Sequence, residues 1–194
     1  MLATLSLFAL PFVVLLPAYA REILHGGANT LGYLMSAMGA GALVAALFMA
    51  SRKSVLGLWK LITMSISILG VALLVASVSR VLPVSMIAFF FGGLAMILAI
   101  SSVNTMLQTI ADEDKRGRVM SFYAMALMGT TPIGSLLAGS VASGIGIPIT
   151  LIIAGSVTLV TALLFGLKIK SLRKYIRPIY VTKGILPGLQ NDLN

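Results

Sequence analysis

Residues 84–103 read VSMIAFFFGGLAMILAISSV, with no Asp, Glu, Lys or Arg anywhere in the run. A bilayer core about 30 Å thick is crossed by roughly 20 apolar residues in an α-helix, so this stretch alone is long enough to span. The same pattern recurs on both sides of it. Met1 to Ala20, Leu31 to Ala50, Leu61 to Val78, Val119 to Ala142 and Pro148 to Leu167 are equally free of charge. The chain of 194 residues is 59% hydrophobic and 10% charged, and its mean hydropathy of +1.06 lies far above that of a soluble domain. A membrane β-barrel would alternate apolar and polar residues in short segments, whereas Val71 to Ala76 runs apolar without a break. Helices satisfy every backbone group internally. The expected fold class is therefore an all-α integral membrane protein with six transmembrane helices in one bundle.

Charge orients the bundle. Arg52, Lys53 and Lys60 lie between spans two and three, and Lys115, Arg116 and Arg118 between spans four and five; Lys168, Lys170, Arg173, Lys174, Arg177 and Lys183 follow span six. With six crossings these share one side, while only Arg21 and Arg80 fall on the other. The positive-inside rule then places the basic connections and both termini in the cytoplasm of a cell that holds the protein in its inner or plasma membrane. The net charge of +9 reads as topology and attraction to anionic lipid. No basic patch is interleaved with aromatics, so nucleic acid is not an expected partner. A competing reading treats Ala18-Tyr19-Ala20 as a signal-peptide cleavage site, but Met1 to Ser6 lacks the cation such a segment carries and Pro11 interrupts its apolar run. The absence of Cys rules out disulfides and thiolate metal sites. The lone His25 falls in the first outer turn, where solvation is the expected state.

The outer turns are short: Arg21 to Thr30, Ser79 to Pro83 and Ser143 to Ile147. Pro83 and Pro148 stand in the first turns of spans four and six, where a missing N–H costs nothing. The inner connection Asp112-Glu113-Asp114-Lys115-Arg116-Gly117-Arg118 has two readings. One is a topogenic run of bases with acids for solubility. The other is a gating loop in which Arg116 or Arg118 pairs with Asp112 or Glu113, or with carbonyls at a helix end, in one conformation and releases them in another. Residues 1–167 form the expected transmembrane bundle and 168–194 a basic cytoplasmic tail. Within that tail Ile169, Leu172, Ile176 and Ile179 recur at helical spacing; Pro178 is expected to end any helix, and the chain from Val181 onward to be disordered.

Within the membrane, small residues recur every four positions: Gly32, Ser36 and Ala40, with Ala37, Gly41 and Ala45, on span two, where Gly39 adds a further glycine; and Thr131, Ser135, Gly139 and Ser143 on span five. Such faces let backbones approach closely. Pro132 frees the carbonyl of Met128, so the stretch from Gly129 to Gly134 is either a hinge or a static kink. Ser101, Asn104, Thr105 and Gln108 form a polar stripe on span four, and Tyr33 and Tyr123 add hydroxyls. Tyr33, Ser101, Asn104, Gln108 and Tyr123 are candidates to line a substrate cavity, with interhelical hydrogen bonding as the alternative. The methionines, among them Met35, Met38, Met125 and Met128, suit an adaptable apolar wall. No carboxylate or histidine lies inside a span, although such groups form the usual proton relays. The chain is not expected to be an enzyme, to hold a metal or cofactor, or to contain a proton-coupling site by itself. Spans two and five are the glycine-rich middle members of two triplets, which points to a three-plus-three inverted repeat.

The order of these features carries a resemblance. Leu16-Pro17-Ala18-Tyr19-Ala20-Arg21-Glu22, then Gly32 through Gly41, then Lys115-Arg116-Gly117-Arg118-Val119-Met120-Ser121, then Thr131-Pro132-Ile133-Gly134-Ser135-Leu136-Leu137-Ala138-Gly139 resembles the C-terminal six helices of major facilitator superfamily exporters. The branch it looks most like contains the enterobactin exporter and macrolide-efflux-like permeases. The resemblance implies an alternating-access transporter of two six-helix bundles with a substrate cavity between them. An N-terminal six-helix bundle, in the same or a separate chain, or a second copy of this one would then be the partner, and a small amphipathic drug or siderophore the cargo. Ser51-Arg52-Lys53-Ser54 departs from the acid-and-base pattern of that family between spans two and three. A non-transporting membrane interaction protein is the alternative.

Overall fold

The computed structural model describes residues 5–182 apart from positions 10, 53 and 56, with side chains as far as Lys168. It contains six helices long and apolar enough to cross a membrane: α1 (Leu5–Ile23), α2 (Ala28–Ser51), α3 (Leu58–Val78), α4 (Leu82–Ile110), α5 (Glu113–Ile145) and α6, which spans the bilayer over Ile147–Lys168 and continues helical to Thr182. The described residues contain no strand.

Most helices outrun the apolar runs that mark them. Polar residues at a membrane surface still form intrahelical hydrogen bonds, so the helix ends where backbone chemistry stops it. At the end of α1, His25 takes a left-handed conformation with φ +49°, and the Gly26 N–H closes back on the Ala20 carbonyl at 2.9 Å. That is the arrangement that satisfies carbonyls at a helix C-terminus. The expected turn from Ser143 to Ile147 shrinks to Gly146 alone, whose φ of +87° falls where residues with a Cβ are strained. Pro83 and Pro148 do occupy the second positions of α4 and α6. Pro178 does not end α6. A proline inside a helix leaves one carbonyl unpaired and can kink the helix without stopping it, and the backbone passes through it to Thr182. Of the expected disordered end, Val181 and Thr182 belong to this helix, and residues 183–194 lie outside the described residues, as does Lys53.

Three helix crossings of the bundle depend on glycine. In α2 and α4, which run parallel, a Cβ on Gly41 would stand 2.8 Å from the Phe90 carbonyl carbon and 3.0 Å from the Leu94 nitrogen; reciprocally, one on Gly93 would stand 2.9 Å from the carbonyl carbon of Met38. In the antiparallel pair α3 and α6, a Cβ on Gly70 would meet the Gly155 oxygen at 3.0 Å, and one on Gly155 would meet the Gly70 oxygen at 2.9 Å. In the parallel pair α1 and α5, a Cβ on Gly134 would come within 2.8 Å of the Ser6 and Leu7 oxygens and of Pro11. Lipid supplies no hydrophobic drive between helices, so close backbone contact has to provide the attraction.

These contacts also reveal the internal repeat. Exchanging α1 with α4, α2 with α5 and α3 with α6 maps Gly41 against Phe90 and Leu94 onto Gly134 against Leu7 and Pro11. It maps the Gly70–Gly155 crossing onto itself. The remaining packing of α4 on α3 corresponds to that of α1 on α6. Each unit has three helices, so the two copies are inverted relative to the membrane.

Tyr19 ties the end of the bundle opposite the basic connections. It is 1% exposed; its hydroxyl donates to the Ala76 carbonyl at 2.8 Å and shares a 2.8 Å bond with the Ser85 hydroxyl, which stands 2.9 Å from that of Ser79. Phe89 meets the Tyr19 ring edge-on at 5.3 Å and stacks on Phe12 at 5.9 Å. One residue of α1 thus joins the end of α3 to the start of α4. Gly155→Leu overpacks the central crossing and is expected to destabilise the purified chain by about 1–3 kcal/mol. Gly139→Leu, whose Cβ would meet nothing within 4 Å, should leave it unchanged; thermal unfolding in detergent reads both.

Candidate functional site

The polar stripe of α4 lies in the half of that helix nearest the basic connections. There the Gln108 amide donates to Oδ1 of Asn104 one turn back, and the Tyr123 hydroxyl of α5 donates to the Ile100 carbonyl at 3.3 Å. Ser101 and Asn104 are half-buried, Gln108 is exposed and Tyr123 is buried. The structure therefore brings Ser101, Asn104, Gln108 and Tyr123 to one region where α4 and α5 meet. Tyr33 stands apart, six residues into α2 at the opposite end and 54% exposed. The clustered groups are neutral donors and acceptors. They can orient a ligand's carbonyls or hydroxyls, but they supply no charge of their own.

The acidic and basic connection proves to be a helix start and not a loop. Asp112 is extended at φ −66° and ψ 150°, and α5 begins at Glu113. Glu113 and Asp114 fall in the first turn, where negative charge complements the unpaired N–H groups of the helix. This is the physical reason the segment winds up. Its ion pair joins Lys115 to Asp112 at 3.9 Å, with the side chains 72% and 70% exposed, a type of contact that contributes about 0–1 kcal/mol. Arg116 and Arg118 are exposed and make no ion pair among the described residues. Gly117 is exposed, and its carbonyl accepts the Ser121 hydroxyl at 2.9 Å.

Around Pro132 the helix changes winding. Met125–Gly129 forms a π-helical turn, and the hydroxyls of Thr130 and Thr131 donate to the Ala126 and Leu127 carbonyls, satisfying acceptors next to the one that proline leaves unpaired. Two further π-helical turns, Leu5–Ala9 and Tyr19–Ile23, flank the α-helical middle of α1. All three lie on the α1–α5 pair. The equivalent α2–α4 pair is regular throughout.

The glycines divide by environment. Gly41 and Gly134 are buried in crossings, whereas Gly32, Gly39 and Gly139 have nothing within 4 Å of a Cβ, and Gly129 has only the Met125 side chain at 3.8 Å. Gly32, Ser36, Gly39, Ala46 and Ala50 share the side of α2 turned away from Gly41. On α5, Pro132, Leu136, Gly139 and Ser143 likewise lie away from Gly134. These two helices are the least covered of the six, with 17% of the apolar window buried in α2 and 6% in α5, against 39–50% in the others. The bundle therefore presents two exposed helix faces rich in small residues.

Among the described residues no group of His, Cys, Asp and Glu is arranged to hold a metal. Six helices able to span a membrane, arranged as an inverted repeat, are an architecture common among membrane transporters. The chain belongs to the family described as transmembrane secretion effector, which it matches over residues 2–175, and so to the major facilitator superfamily. No curated protein and no solved structure gives a significant match. Tyr123→Phe removes the hydroxyl contact from α5 to α4 and is expected to lower stability by about 0.5–1.5 kcal/mol, with faster hydrogen exchange at the adjoining amides of α5.

Proposed function

We propose that this chain is the C-terminal half of an alternating-access exporter for a small amphipathic molecule, a drug or a siderophore, akin to the branch that holds the enterobactin and macrolide-type exporters. The observation that carries the reading is the pair of exposed faces on α2 and α5. A helix face that meets only lipid gains nothing from glycine, because large apolar side chains fill that environment as well and at less entropic cost. Gly32 and Gly39 on α2 and Gly139 on α5 suit close approach by other helices. A second six-helix bundle seated on both would enclose the space in front of α1 and α4. Substrate would lie there against Asn104, Gln108 and Tyr123, with Met125 and Met128, which are 66% and 74% exposed, as a conforming apolar wall.

Alternating access then follows from rocking one bundle on the other about these faces. The α1–α5 pair, with its π-helical turns and Pro132, is the part able to bend, while the α2–α4 pair moves as a rigid unit. Coupling charge would come from the partner bundle, consistent with spans free of carboxylates. Asp112, Glu113, Arg116 and Arg118 at the start of α5 would make and break contacts as the basic ends of the bundles approach and part. On the positive-inside rule these ends, both termini and the tail of residues 168–194 would lie in the cytoplasm. A homodimer using the same faces would build a cavity from two copies of this chain.

Cells carrying the chain with its partner bundle are expected to accumulate less of a fluorescent amphipathic dye than cells lacking either. Gly39→Leu or Gly139→Leu should return dye accumulation to the level of cells without the exporter while leaving the purified chain's unfolding temperature unchanged. Undiminished export by both variants would remove the docking role of these faces. Arg118→Ala should likewise abolish export, and full activity would dismiss the gating role of the α5 start.

A further inference from the structure

A groove of about 350 Å³ opens on the lipid side of the bundle between α3 and α4. Ser67, Ile68, Val71 and Val75 form one wall, and Val84, Ile87 and Phe91 the other. Val71, Ile87 and Phe91 are 51%, 60% and 45% exposed, so none of the described helices covers the groove. It runs toward the α3–α4 turn, and that turn holds Arg80, five residues after Val75 and four before Val84. One nitrogen of the Arg80 guanidinium, Nη1, donates to the Ser77 carbonyl at 3.1 Å and to the Ser79 carbonyl at 3.0 Å. The side chain is thereby anchored over the end of α3, while Nε and Nη2 make no hydrogen bond among the described residues. Arg80 forms no ion pair among the described residues.

An apolar groove with a fixed cation where the helices leave the hydrocarbon has the chemistry of an anionic phospholipid. An acyl chain is the only abundant long, flexible, apolar molecule at that depth. The free Nε–Nη2 edge is the fork that binds two phosphate oxygens side by side. We infer that α3, α4 and Arg80 form a specific phospholipid site, with one acyl chain lying along Val71, Val75, Ile87 and Phe91 and the phosphate held by Arg80. The site depends on membrane insertion alone, and so stands or falls independently of export.

Reconstitution into phosphatidylcholine vesicles containing a trace of phosphatidylglycerol with a photoactivatable group midway along one acyl chain tests the assignment. After irradiation, mass spectrometry of peptides locates the adducts. Labelling is expected at Val71, Val75, Ile87 or Phe91, about ten-fold weaker in Arg80→Gln, as the loss of a charge-assisted hydrogen bond implies, and only partly recovered in Arg80→Lys, whose point charge lacks the two-pronged geometry. Val71→Trp, which fills the groove from an exposed position, should remove the labelling while leaving thermal unfolding unchanged. Equal labelling of the wild type and Arg80→Gln, or equal labelling by a phosphatidylcholine probe, would show ordinary bulk lipid and overturn the site. Loss of the Arg80 dependence on adding millimolar inorganic phosphate would show that the guanidinium binds a free anion and would overturn it too.

Discussion

The bundle depends on bringing backbones together where water offers no reward for doing so. Lipid chains are as apolar as leucine, and helices in them associate through close packing and the few polar contacts available. Here three crossings supply that packing, at Gly41 with Gly93, at Gly70 with Gly155 and at Gly134 against Ser6 and Leu7. Each leaves no room for a Cβ on one or both partners. Tyr19 adds the principal polar tie, joining α1 to the α3–α4 turn through Ala76 and Ser85. The positions of α2 and α5 follow from this scheme. Each makes its close glycine crossing on one side, α2 with α4 and α5 with α1, and is left open on the other.

The two halves of the repeat share topology but not helical regularity. Regular α2 and α4 lock through reciprocal glycines, while their counterparts α5 and α1 contain π-helical turns, Pro11, Pro17 and Pro132. A π-helical turn widens the helix locally, and such turns are frequent at functional sites. The Thr130 and Thr131 hydroxyls keep neighbouring carbonyls satisfied beside Pro132.

Charge-free apolar runs made the number and order of helices legible, because the bilayer sets their minimum length. The ends were less legible. Asp112 to Arg118 looks like a loop by composition, yet the acids of its first turn favour a helix, and Gly146 alone proves enough to reverse the chain. Glycines in four-residue stripes were visible and led to Gly41, whereas Gly134 stood out only as the edge of the Pro132 hinge and not as a crossing. Gly70, Gly93 and Gly155 were missed, since residues four positions away in their own helices are Ile66 and Leu74, Phe89 and Ile97, and Leu151 and Leu159; their small or backbone partners sit on another helix. Tyr19 resembled part of a cleavage site because its partners lie 57 and 66 residues further along. The polar stripe on α4 was legible from spacing, whereas the separation of Tyr33 from it follows only from packing.

If this chain is one half of a two-bundle exporter, a second bundle covers the exposed faces of α2 and α5. Photocrosslinking amino acids placed singly at Gly39, Gly139, Val71 and Leu163, in the native membrane, address it directly. Protein adducts with another six-helix unit are expected from positions 39 and 139, and lipid adducts from positions 71 and 163. Lipid adducts alone from all four positions would contradict it.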